Sequence, residues 1–409
     1  GTYAIVNPTQ AANVLLAVTG LLLVYMGLRE VFRLVLARSH GLGTALPVGR
    51  PDARAWRVLA AVAVVLVVAL GGTALIVFRA PAAPLESTGV ASVCNGAALL
   101  CTRRLDQIVF AGAHNAMSNA EVPGWLFPHH SHPIPRQLED GVRALLIDVH
   151  YGVPAGEHVI TDFDREGTGS SRGKIEGALG PEATSAALRI RERFLGHETG
   201  PSGIYFCHGF CELGAYPVEP TLQGVREFMV ANPGEVVIIV IEDYIPPEDI
   251  ARLFQDAGLL DLVYTGSLTR PVPTLRHLID LGQRLVVFIE SGKPGVPWLR
   301  PAWESMQETP YTFHKPEDFS CRPNRGPASA PFFQINNWIE TTPAPRPSNA
   351  EIVNAYSALL ARARECRQQR GQLPNILAVD FYDVGDLFRV VRTLNGLDRA
   401  TRPPPRAAP

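Results

Sequence analysis

A (β/α) barrel is the fold class this sequence predicts, and three observations predict it. Short apolar runs alternate with helical patterns through most of the chain. Several runs stop abruptly at titratable residues: Ile108–Ala111 leads to His114-Asn115, Ala144–Val149 to Asp148 and His150, Gly203–Phe206 to His208, and Val236–Ile241 to Glu242-Asp243. No glycine-rich dinucleotide loop follows the first run, which disfavours a doubly wound open sheet. Parallel strands that each deliver a reactive group at their carboxyl ends are how a barrel builds one site.

The elements follow in order. Ala11–Leu28 and Val58–Phe78 carry no charge, and a bilayer core of ~30 Å needs ~20 helical residues. Two transmembrane helices are therefore expected, at about 11–36 and 57–79. Arg29, Arg33, Arg38, Arg50, Arg54 and Arg57 lie in or beside the connector, which the positive-inside rule puts in the cytoplasm. The expectation is a multi-pass cell-membrane protein whose domain after Phe78 is extracytoplasmic. The chain begins at Gly1 without an initiator Met, which reads as a processed or truncated piece. Residues 80–93 read as a linker, 94–397 as the barrel and 398–409 as a disordered tail.

Within the barrel the expected strands are Ile108–Ala111, Ala144–Val149, Gly203–Phe206, Val236–Ile241, Leu285–Ile289, Phe332–Ile335 and Ile376–Phe381, with a weak eighth near Leu260–Tyr264. Helices are expected over Ile134–Asp140, Ala183–Leu195, Thr221–Asn232, Pro247–Ala257, Thr274–Leu281, Asn349–Arg370 and Val384–Leu394.

All six cysteines follow the second apolar block, and an even number in an exported domain suggests disulfides. The favoured pairs are Cys94–Cys101, Cys207–Cys211 and Cys321–Cys366. A metal site at Cys207-His208-Gly-Phe-Cys211 is the rival reading. The net charge of −2 and the lack of a recognition motif argue against a nucleic-acid partner. No Gly-x-Ser-x-Gly elbow occurs, against a serine esterase.

Five segments resemble, in order, the catalytic X region of phosphatidylinositol-specific phospholipases C: Ala113-His-Asn-Ala-Met-Ser118, Leu145-Leu-Ile-Asp-Val-His-Tyr-Gly152, Tyr205-Phe-Cys-His-Gly209, Val236-Val-Ile-Ile-Val-Ile-Glu242, and Pro273-Thr-Leu-Arg with Leu285-Val-Val-Phe-Ile289. The resemblance covers roughly residues 104–395. It implies a distorted TIM-type barrel and cleavage of a phosphodiester, with an inositol phospholipid in a bilayer as substrate. It assigns His114 to the first catalytic histidine and His208 to the second, the general acid. Histidine titrates near neutrality and suits either role.

A phosphoryl group also needs positive charge. Animal-type members bind Ca²⁺ through an Asn after the first His, an acid-x-acid pair and a later Glu. Asn115, Asp148 and Glu242 match three of these positions, and Leu146 replaces the first acid of the pair. Metal-free bacterial members place an Arg two residues after the strand-two Asp, where this chain has His150. Ca²⁺ is favoured, with Mg²⁺ or no metal as alternatives. Asp243 is expected to face away from Glu242. Asp380 is expected to orient His114, and Lys293 and His150 to contact substrate. The Trp125–His132 loop reads as a flexible surface loop or as a rim meeting lipid. Two other readings stay open: a glycerophosphodiesterase or sphingomyelinase D-like hydrolase, and an inactive lipid binder in a membrane assembly.

Overall fold

The computed structural model describes residues 91–165, 173, 181, 184–290, 295–342 and 344–398. The chain divides into two units, Gly1–Glu86 and Ser87–Pro409, and every described residue belongs to the second. The spans expected at 11–36 and 57–79, and the tail beyond 398, lie outside the described residues. Among the described residues no helix is long and apolar enough to cross a membrane.

Among the described residues eleven strands form one sheet: β1 (Phe110–Ala113), β2 (Ala144–Ala155), β3 (His158–Thr161), β4 (Gly203–Cys207), β5 (Ala215–Pro217), β6 (Val237–Asp243), β7 (Leu285–Ile289), β8 (Leu299–Pro301), β9 (Met306–Glu308), β10 (Phe332–Asn337) and β11 (Ile376–Val379). Eight run parallel in the order β8-β7-β6-β2-β1-β11-β10-β9. The first and last strands are neighbours, as in a barrel, but no ladder joins β8 to β9. The barrel is open at that seam. The backbones of Asn324 and Arg325 instead bond to Glu308 along the free edge of β9, which covers part of an otherwise unpaired edge.

Side chains alternate across the sheet. Phe110, Leu146, Val240, Phe288, Phe332 and Ile376 belong to an inner cluster. Ala111, Ile147, Ile241, Val287, Ile335 and Leu377 belong to an outer one, which the helices cover. Phe288 and Phe332 meet edge to face at 5.8 Å inside the barrel. Each such ring contributes about 1.5–3 kcal/mol by leaving water. Gly112 is required where β1 meets β11, because a Cβ there would lie 2.8 Å from Ile376 Cγ2 and 3.0 Å from the Leu377 carbonyl oxygen.

Three expectations are corrected. The strand leading to His208 is not a barrel stave. β4 pairs antiparallel with the distal half of β2, whose proximal half pairs parallel with β6. β2 thus runs past the barrel rim and, with β3, β4 and β5, makes an antiparallel flap. The eighth strand is not at Leu260–Tyr264, where a single bridge joins Val263 to Leu285. With β4 outside the barrel, the two remaining staves are β8 and β9, each too short to show periodicity. The helix expected over Asn349–Arg370 is two, Pro347–Val353 and Tyr356–Arg370. Asn354 breaks it by turning its amide to the Asp380 carbonyl at 2.9 Å, while Asp386 caps the new start at the Tyr356 N–H. The three favoured disulfides are present, which removes Cys207 and Cys211 as metal ligands.

Candidate active site

At the carboxyl end of the barrel the inward-facing position of seven of the eight parallel strands is polar. His114 follows β1, Asp148 stands in β2, Glu242 in β6, Glu290 after β7, Glu308 in β9, Asn336 in β10 and Asp380 after β11. All seven line one cavity of about 720 Å³. Asn115, His129, His208, Arg325 and Trp338 line it too, and Trp125 and Phe127 form part of its wall.

His114 is held from two sides. Its Nδ1 lies 2.9 Å from Asp380 Oδ1, and its ring stacks on Trp338 with centroids 3.6 Å apart and planes within 3°. If Nδ1 carries the proton for Asp380, the Nε2 lone pair is the reactive atom. Both strand ends turn through left-handed non-glycine residues, Asn115 at φ 48° and Phe381 at φ 46°. Such conformations cost energy and gather at functional sites.

His208 reaches the cavity from the flap, in a loop closed by the Cys207–Cys211 disulfide. Burial, reinforced by His114, lowers its pKa to about 4, against the opposing pull of Glu242 and Asp380. A third histidine lies between them. His129 meets His114 edge-on at 5.4 Å and His208 edge-on at 4.8 Å. Burial and then His208 and His114 push it well below the usual range, so burial favours the neutral ring at both His129 and His208. The Trp125–His132 segment is therefore no flexible surface loop at its His129-His130 pair, which is buried.

The remaining residues sort by position. Asn115, Asp148 and Glu242 line the cavity, and Asp148 and Glu242 are register partners on β2 and β6. Leu146 lies one pleat below Asp148 on the same face. Asp243 pairs in register with outer-cluster Val149, away from the cavity. His150 is fully buried and stacks on Tyr244 at 4.0 Å. It is not among the residues that line the cavity, although it acts electrostatically on His208. Lys293 lies outside the described residues. His114, His129 and Asp380 bring donor atoms within 4.8 Å of one another, although His114 and Asp380 already bond each other.

Sequence reasoning missed the opposite wall. Arg325 bonds Glu308 Oε1 and Glu290 Oε2, each at 2.5 Å, and lies over the Trp303 ring at 3.9 Å. Asn336 and Asn324 also donate to Glu308 at 2.8 Å. Burial works against the Arg325 charge, but the two glutamates outweigh it. Burial and Glu242 push Glu290 upward. Glu290 was readable as the polar stop on a clean apolar run. Glu308 sits in a three-residue strand and Arg325 in a Pro/Gly-rich loop, where no pattern marks them.

A family model described as PI-PLC X matches residues 183–395, which includes His208, Glu242 and Asp380. A protein of Arthroderma benhamiae named an uncharacterized secreted protein is 25% identical over 74% of this chain and 64% of its own length. A PI-PLC X domain-containing protein 1 of the same organism is 24% identical over 75% of this chain and 90% of its own. An Arabidopsis thaliana PI-PLC X domain-containing protein is 25% identical over 76% and 66%. The chain thus spans less than two thirds of the first and third of these relatives. Among solved structures, the phosphatidylinositol-specific phospholipase C of Listeria monocytogenes is 13% identical, covers 72% of this chain and 94% of its own, and has a TM-score of 0.41. A Staphylococcus aureus counterpart gives 12%, 72%, 93% and 0.43. The multi-pass membrane location expected from the sequence is corrected on two findings: no described helix can span a bilayer, and the first relative is named a secreted protein. The family model covers about half of the 409 residues, and on that match the chain belongs to the PI-PLC X family.

Proposed function

We propose that the chain is a phosphodiesterase of phospholipase C type, acting on a lipid phosphodiester with an inositol phospholipid as the favoured substrate. The observation that carries this reading is the pairing of a braced histidine, His114 on Asp380, with His208 across one strand-end cavity. Cleavage on the diacylglycerol side needs a base for the attacking hydroxyl and an acid for the leaving oxygen. His114 Nε2 takes the proton of the headgroup hydroxyl as that oxygen attacks phosphorus. Asp380 stabilises the imidazolium that forms. His208 gives a proton to the departing glyceride oxygen, so a cyclic phosphate and diacylglycerol result. Burial disfavours the charged form of His208, and an adjacent phosphate anion favours its protonated form.

A divalent cation fits the same reading. The described cavity wall holds Asp148, Glu242, Glu290, Glu308, Glu340 and Asp380 against Arg325, whose charge the two glutamates already engage. An anionic phosphodiester entering such an acidic cavity requires added positive charge. Asn115, Asp148 and Glu242 offer the oxygen donors that Ca²⁺ or Mg²⁺ prefers. When bound, the ion would neutralise charge on the phosphoryl oxygens.

The test is product analysis. The full chain is incubated with a mixed lipid extract, with and without chelator, and products are identified by mass spectrometry. Diacylglycerol with a cyclic headgroup phosphate supports the reading. Free choline or glycerol phosphate would redirect it to another phosphodiesterase, and no cleaved phosphodiester would refute it. A rate unchanged by thorough chelation would remove the metal.

A further inference from the structure

His129 does not act on the reacting atoms in the mechanism above, yet it is 6% exposed, lines the cavity and touches both other histidines. Its hydrogen bonds define what it does. Ser118 Oγ donates to the Phe127 carbonyl at 3.3 Å, which uses its one proton. The same oxygen accepts from the His129 backbone N–H at 3.1 Å and faces His129 Nδ1 at 3.0 Å. With its proton on the Phe127 carbonyl, which can only accept, the hydroxyl accepts at the ring and Nδ1 carries the hydrogen. The other nitrogen, Nε2, then presents a lone pair, and it faces Asn115 Nδ2 at 3.1 Å.

That contact orients an amide whose two ends differ chemically. With Nδ2 donating to His129, Oδ1 must point the other way. Asn115 is 3% exposed, and among the described residues no hydrogen bond uses its Oδ1. The backbone adds to the constraint, since Asn115 is held at φ 48° and its carbonyl accepts from the Ser118 N–H at 2.8 Å. Ser118 thereby grips both ends of the device, the Asn115 backbone and the His129 ring.

We infer that His129 is a positioning residue: held as the Nδ1–H tautomer by Ser118, it accepts from the Asn115 amide and turns Asn115 Oδ1 into the cavity. The kinetic consequence rests on the phosphodiesterase reading, in which Oδ1 faces the cation or the phosphoryl group. The tautomer and the amide orientation rest on geometry alone. A backward Asn115 would present N–H where an acceptor is needed, and a misplacement of that order costs about 10- to 100-fold in turnover.

The experiment has two arms. In the full chain labelled with ¹⁵N-histidine, a long-range ¹H–¹⁵N spectrum at neutral pH reads the tautomer, and the signal lost in His129→Gln assigns it. The expected result is a protonated Nδ1 and a bare Nε2, with the second tautomer appearing in Ser118→Ala. An Nε2–H tautomer in the unaltered protein overturns the inference, whether or not any lipid is cleaved. In the kinetic arm, His129→Asn and His129→Gln are compared at matched thermal stability. Gln places an acceptor near the Nε2 position and should recover most of the turnover that Asn loses, because Asn reaches only the Nδ1 position. Asn115→Ala added to His129→Asn should cost little more. Equal losses in the Asn and Gln variants would overturn the positioning role and make the imidazole itself the active group.

Discussion

His114 Nδ1 lies 2.9 Å from Asp380 Oδ1, and the two residues stand one position beyond the register pair Ala113 and Val379 on adjacent parallel strands. Their contact is therefore fixed by the ladder that joins the chain's first and last barrel strands. Asp380→Asn keeps the shape and removes the charge that favours an imidazolium on His114. The expected loss in kcat is about 10²- to 10⁴-fold, with little change in KM or melting temperature. Steady-state kinetics on the lipid identified by product analysis checks it. A loss confined to KM would place Asp380 in substrate binding instead.

How much of this was legible follows from how each residue is carried. His114, Asp148 and Glu242 end apolar runs whose burial forces their strand assignment, and polar stops on such runs are visible in sequence. His208 was visible for the same reason, but the direction of its strand was not. Antiparallel pairing depends on β2 running beyond the barrel rim, and nothing in Gly203–Cys207 encodes its partner. His129, Trp338, Glu308 and Arg325 come from loops or from a three-residue strand. Tertiary contacts alone bring them to the cavity.

The Arg325 contacts with Glu308 and Glu290 predict a stability effect. The Glu308 side chain is fully buried, and Arg325 supplies its charge partner. Removing one member of a buried pair leaves an uncompensated charge and costs about 3–5 kcal/mol. Arg325→Ala should lower the urea midpoint accordingly, and Glu308→Gln in that background should restore part of it. An additive double variant would show that the two groups do not act as a pair.

The disulfides should separate stability from activity. Cys321–Cys366 closes a loop across a sequence separation of 45, and Cys207–Cys211 one of 4. Chain-entropy arguments give about 4 kcal/mol for the longer loop and about 2 for the shorter. Replacing Cys321 and Cys366 with Ala should therefore cost more in denaturant melts. Replacing Cys207 and Cys211 should cost more in turnover, because that bridge brackets His208. A reversed order in either assay would refute this division.

Buried histidines predict the pH response of the fold. His130 is fully buried, its Nε2 donates to the His114 carbonyl at 2.7 Å, and the Tyr382 N–H approaches its Nδ1. That network specifies a neutral ring. Burial lowers its pKa to about 4, with Asp380 and the backbone bond opposing, and His208 is lowered to about 4 as well. An unfolded histidine titrates near ~6.5. Between these values the unfolded chain binds more protons than the folded one, so stability rises with pH across the window and is lost on acidification. Each ring contributes on the order of 3 kcal/mol. The melting temperature should fall between pH 6.5 and 5, with the raised Glu290 carboxyl opposing part of that fall. His208→Asn should make that fall shallower, because one of the three buried-histidine protonations (His129, His130 and His208) is removed. A melting temperature constant down to pH 5 would mean that the folded protein accommodates charged rings, which the packing around His130 does not allow.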